Sequence, residues 1–98
     1  MELDFVTNYI EGLKFGGKSP ATIQGYKKDV NKLMSFFSIN SLSDLGNLTV
    51  SDYHRFYQSQ NFAPESLNGL IRNLSAFFNY MVATDTIKDN AFFKVRFG

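Results

Sequence analysis

At 98 residues, with 44% hydrophobic and 16% aromatic side chains, the chain has the length of one domain and the composition of a packed core. It holds no cysteine, which excludes disulfides and thiolate metal sites, and a single histidine. A net charge of +1 is low for a nucleic-acid binder judged in bulk, so the placement of the charges has to decide.

Leu3, Val6, Ile10 and Leu13 step by three, four and three, which predicts a first helix near residues 2 to 15. Gly16-Gly17 ends it, because glycine takes the left-handed C-cap conformation cheaply. A second helix is strongly specified. Ser19 is a good N-cap and Pro20 suits the first helical position, where its missing N–H costs nothing. Ile23, Tyr26, Val30, Leu33 and Phe37, with Met34 beside them, form one apolar stripe that runs to near Ser38. The opposite face carries Gln24, Lys28, Asn31 and Ser35, flanked by Lys27 and Lys32, with no carboxylate on it; Asp29 sits on the flank. Such a face suits contact with nucleic acid.

Residues 39 to 48 read as a connector pinned by Leu42, Leu45 and Leu48. A third helix follows Thr49, which with Asp52 resembles a capping box, and shows an aromatic face of Tyr53, Phe56 and Tyr57 to about Gln60. Residues 61 to 63 are expected to turn. A fourth helix runs from Pro64 to about Thr84, with Ala63 standing where a capping hydroxyl would be expected. In the tail, Phe93, Val95 and Phe97 alternate with Lys94 and Arg96, which predicts an extended, loosely packed segment from Phe92 to Gly98 whose apolar residues await a partner. The expectation is an all-α domain of four helices around one core.

The second helix reads as written twice, with chance agreement between two amphipathic helices as the alternative. Pro64 to Met81 aligns on Pro20 to Phe37 at a constant offset: Pro64 on Pro20, Ser66 on Thr22, Leu67 on Ile23, Asn68 on Gln24, Gly69 on Gly25 and Arg72 on Lys28. The second polar face, Asn68, Arg72, Ser75 and Asn79, is in phase with the first. Gly25 and Gly69 each cost about 1 kcal/mol relative to alanine in a helix interior. Close approach of another helix is the first explanation, and close approach of a DNA backbone is the second. Lys14, Lys18, Lys27, Lys28 and Lys32 cluster in the first third, opposed there mainly by Glu11 and Asp29; a merely solvated helix face is the bland alternative.

Catalytic chemistry finds little support. His54 has no partner identifiable from spacing, and Asp85 and Asp89 lie at a helix end and the following loop. No glycine loop of the phosphate-cradling kind occurs. No enzyme site, metal site or cofactor is expected. No apolar run approaches a bilayer span and no signal-peptide pattern opens the chain, so a soluble, cytoplasmic protein with no membrane partner is expected.

Several motifs in order carry a resemblance. They are Phe5, Tyr9 and Leu13; S-P-A-T-I-x-x-Y-x-x-D-V from Ser19 to Val30; and L-x-x-L-x-V-x-D from Leu45 to Asp52. L-N-x-L-I-x-N-L-x-x-F-F-x-Y from Leu67 to Tyr80 and I-x-x-N from Ile87 to Asn90 complete the set. Together they resemble the N-terminal core-binding domain of tyrosine recombinases, the phage-integrase and Xer-like enzymes. Ala91, where that family usually has proline, and Ala63 depart from the pattern in local geometry only.

The resemblance implies a four-helix, SAM-like bundle that clamps double-stranded DNA opposite a separate C-terminal catalytic domain. Its partners would be DNA, that catalytic domain and other recombinase protomers. It further implies a domain over residues 1–90, with residues 91–98 starting the linker to a catalytic domain absent from this chain. None of Tyr9, Tyr26, Tyr53, Tyr57 or Tyr80 is then catalytic. The family's second and fourth helices face the DNA, which points to Lys18, Ser19, Thr22, Gln24, Lys27 and Lys28, and to Ser66, Asn68 and Arg72. Amides can bind adenine and arginine can bind guanine bidentately, whereas lysines and hydroxyls suit phosphates. The competing class is a helical protein-interaction module that binds no nucleic acid. A helix-turn-helix regulator fits poorly, because about ten residues separate the second and third helices.

Overall fold

The computed structural model describes residues 3–60 and 63–95. Five helices follow in order: α1 (Asp4–Phe15), α2 (Pro20–Phe36), α3 (Leu42–Gly46), α4 (Val50–Ser59) and α5 (Pro64–Ala83). A 3-10 turn, Ala91–Lys94, is the last element among the described residues. No strand occurs among the described residues, so the all-α expectation holds. Among them, no helix is long and apolar enough to cross a membrane.

Local chemistry sets the helix ends. The Ser19 hydroxyl accepts from the Thr22 N–H at 3.3 Å, and Pro20 follows at the first helical position. At α4 the capping box is complete: Thr49 Oγ1 accepts from the Asp52 N–H at 3.2 Å, and Asp52 Oδ2 accepts from the Thr49 N–H at 2.8 Å. That backbone hydrogen bond, helped by the Arg55 guanidinium at 2.9 Å, holds the Asp52 carboxyl below its usual range. Ala63 provides no side-chain cap for α5. Three helices close the same way, with a left-handed residue at Gly17, Ser38 or Asp85. The following N–H returns to the helix in each case: Lys18 to the Leu13 carbonyl, Ile39 to Met34 and Thr86 to Met81.

A fifth helix, α3, stands where a connector is expected. The Ser41 hydroxyl accepts from the Asp44 N–H at 3.3 Å, while Asp44 Oδ2 accepts from the Asn40 N–H at 3.0 Å. Leu45 is thereby turned inward and is fully buried.

Leu3 lines a cavity with Asn31 and Met34, and Ile10 lines another with Ile23 and Lys27, so α1 and α2 run antiparallel. The apolar stripe of α2 and its copy on α5 meet in one core. Ile23, Val30, Leu33, Leu70, Leu74, Phe77, Phe78 and Met81 are buried, with Tyr26, Phe37 and Leu67 packed against them partly exposed. Aromatic edges join the helices: Tyr9 of α1 meets Phe77 of α5 at 5.1 Å, and Tyr53 of α4 meets Phe78 at 5.9 Å.

The expectation of a loose, extended tail is corrected as far as Val95. Phe92 and Val95, three residues apart, are buried on one side of the 3-10 turn. Asn90 holds the turn in place and is itself only 4% exposed. Its Oδ1 accepts from the Phe92 N–H at 2.9 Å and from the Tyr53 hydroxyl, and its Nδ2 donates to the Leu45 carbonyl at 3.4 Å. One amide thus ties α3, α4 and the tail together. Of the expected apolar trio, Phe93 is exposed and Val95 is buried; Phe97, like the turn expected at Asn61 and Phe62, lies outside the described residues.

Candidate nucleic-acid interface

The internal repeat is physical as well as textual. Several of its paired positions share their environment: Val30 and Leu74, Leu33 and Phe77, and Met34 and Phe78 are buried, whereas Gln24 and Asn68, Lys28 and Arg72, and Ser35 and Asn79 are exposed; others differ, with Ile23, Leu70 and Met81 buried where Leu67, Tyr26 and Phe37 are partly exposed. The two copies also touch at an equivalent position. Asn73 Nδ2 on α5 donates to Asp29 Oδ2 on α2 at 2.8 Å. Asp29 and Asn73 directly follow Lys28 and Arg72, so this bond fixes the two cation-bearing turns relative to each other.

Close helix packing is not the reason for the two mid-helix glycines. A Cβ built on Gly25 would meet nothing within 4 Å. One built on Gly69 would meet only the Arg72 guanidinium of its own helix, at 3.9 Å. Both glycines therefore border open space beside the polar faces.

The residues singled out from the sequence occupy three settings. Lys28, Asn68, Ser66 and Arg72 are exposed on the outer faces of α2 and α5. Ser19 and Thr22, also exposed, are engaged with each other: the Ser19 hydroxyl donates to Thr22 Oγ1 at 2.9 Å while capping the helix. Lys18, Gln24 and Lys27 are drawn together around a groove of about 400 Å³ between the end of α1 and the start of α2. Its remaining lining is Ile10, Pro20, Ile23 and Lys14. Lys14 belongs to α1 and was not among the positions that the resemblance implied. It lies four residues before Lys18 across the Gly16-Gly17 turn, and the antiparallel return of the chain brings the two to one rim. Lys14 also pairs with Glu11 at 3.5 Å, a weak contact because both side chains are more than half exposed.

The tyrosines behave as packing groups. Burial, with a smaller contribution from Tyr26, pushes the Tyr9 phenol up to about 12, and burial also raises Tyr53 and Tyr57. Phenols held neutral in this way are poorly suited to act as nucleophiles. His54 is exposed on α4, and no group of three or more potential metal ligands occurs among the described residues.

Residues 5–88 match the family model of the phage integrase N-terminal SAM-like domain. The chain belongs to that family, which makes the bundle a SAM-like domain and gives it a role related to tyrosine recombination. No curated protein and no solved structure matches the chain.

Proposed function

We propose that this chain is the DNA-binding domain of a site-specific tyrosine recombinase, gripping the duplex with the exposed polar faces of α2 and α5. The observation that carries this reading is the in-phase pair of faces, Gln24 with Asn68 and Lys28 with Arg72, joined by the Asp29–Asn73 hydrogen bond in a chain of the integrase family. Chemistry on DNA would fall to a separate catalytic domain, reached through the chain beyond the 3-10 turn that is seated on α4. Recombinase protomers would be the further partners. Lys18, Lys27 and Lys28 position phosphates; Ser19, Thr22 and Ser66 supply hydroxyls beside them; Gln24, Asn68 and Arg72 are the candidates for base edges. The open space beside Gly25 and Gly69 leaves room for a sugar–phosphate backbone to come close.

NMR titration with a duplex carrying the cognate site tests the reading. Shifts should cluster at Lys18 to Lys28 and at Ser66 to Arg72. Lys28→Ala should weaken binding to all sequences alike, and Arg72→Ala should cost about 1–3 kcal/mol at the cognate site alone. The protein-interaction reading is favoured by Phe15, which is 96% exposed at the end of α1. It would prevail if no resonance moved at low salt, or if shifts mapped to Phe15 and the aromatic tail instead.

A further inference from the structure

We propose that the groove between the end of α1 and the start of α2 seats a phosphodiester of the DNA backbone, with Lys14, Lys18 and Lys27 as its cations. The inference rests on the DNA-binding reading and extends it from α2 and α5 onto a third helix. Three ammonium side chains from two helices and their turn surround one depression, and among the described residues no carboxylate lines it. Gln24 adds an amide donor on the same rim, and Pro20, the first residue of α2, lines it near the positive end of that helix's dipole. The floor of Ile10, Pro20 and Ile23 is apolar, which suits a deoxyribose and the lysine methylene stems better than a small hydrated ion. At about 400 Å³, the groove has room for far more than one water or ion. Glu11 lies outside the lining and restrains Lys14 only through the exposed 3.5 Å pair, so an entering phosphate can take its place.

Such a seat contributes affinity without sequence information, because it touches only the backbone. The test is fluorescence anisotropy with a mixed-sequence duplex between 50 and 200 mM salt, on the unmodified chain and on Lys14→Gln, Lys14→Arg and Lys94→Gln. Loss of one phosphate contact flattens the slope of log K against log salt by about 0.9, so the affinity advantage of the unmodified chain over Lys14→Gln should shrink about 3.5-fold across that range. Lys14→Arg should keep the original slope. Lys94 stands on the 3-10 turn packed against α4, which meets the far end of α2 through Phe36 and Phe56, so Lys94→Gln should keep it too. An unchanged slope in Lys14→Gln, with binding retained, would overturn the seat and leave the DNA-binding reading standing. An equal flattening in Lys94→Gln would overturn it in favour of a net-charge effect. No binding by the unmodified chain at 50 mM salt would overturn both.

Discussion

Asn90→Ala should be among the most damaging single substitutions in this domain, although Asn90 lies outside the helices. The residue is 4% exposed and its side chain makes three hydrogen bonds. Removing it leaves the Tyr53 hydroxyl and the Phe92 N–H as buried donors without their acceptor. At roughly 1.5 kcal/mol for each stranded donor, the loss is about 3 kcal/mol, before any disturbance of Phe92 itself. For a domain of this size, a loss of about 3 kcal/mol corresponds to a fall of about 12–24 °C in Tm. Thermal and urea unfolding followed by circular dichroism would measure both. The hydrogen-bond origin is separable from simple packing loss by a cycle with Tyr53→Phe. Once the phenol hydroxyl is gone, Asn90→Ala strands one donor fewer and should cost about 1.5 kcal/mol less. An Asn90→Ala loss below about 1 kcal/mol, or a cycle with no coupling, would refute this account of how the tail is held.

Gly25→Ala and Gly69→Ala should each stabilise the isolated domain by about 0.5–1 kcal/mol, since the new methyl meets open space and the helix gains propensity. Urea midpoints of the two variants below that of the unmodified chain would show a packing role that the open surroundings do not provide. Alkaline pH should destabilise the fold. The Tyr9 phenol is raised from its ordinary 10 to about 12, so its contribution is fully present below pH 10 and is lost as the pH climbs toward 12, with Tyr53 and Tyr57 acting in the same direction. Tyr9→Phe should lessen the fall in urea midpoint between pH 10 and 12. Because the buried Tyr9 hydroxyl makes no hydrogen bond among the described residues, the same variant should cost little at pH 7.

The core was legible because a helix writes its period into its apolar residues, and Val30, Leu33, Leu74 and Phe77 sit where that period puts them. The caps at Ser19 and Thr49 were legible because they are local. α3 escaped because five residues are too few to show a period, and its leucines read equally well as pins of an irregular connector. The tail misled through an alternation at Phe93, Val95 and Phe97, whereas burial follows Phe92 and Val95; the available signal was Asn90, a good cap with no helix in sight after it. The lysine groove is a tertiary feature. Nothing along the chain says that Lys14 and Lys27, thirteen positions apart on different helices, share a rim.

The repeat explains where the two copies had to diverge. Lys28 and Arg72 are both exposed, and both copies carry a basic side chain there. Asp29 and Asn73 occupy the next position, and there the copies face each other at 2.8 Å. Two carboxylates at that distance and half-buried would repel, and one would be forced to hold a proton. Two amides would satisfy each other but would forgo the stronger, charge-assisted bond. One carboxylate and one amide give a donor, an acceptor and no like-charge pair. A sequence that repeated perfectly would therefore join its two polar helices badly. The pairing of Asp with Asn at the point of contact lets the neighbouring positions, which bear the proposed DNA contacts, keep side chains of the same kind.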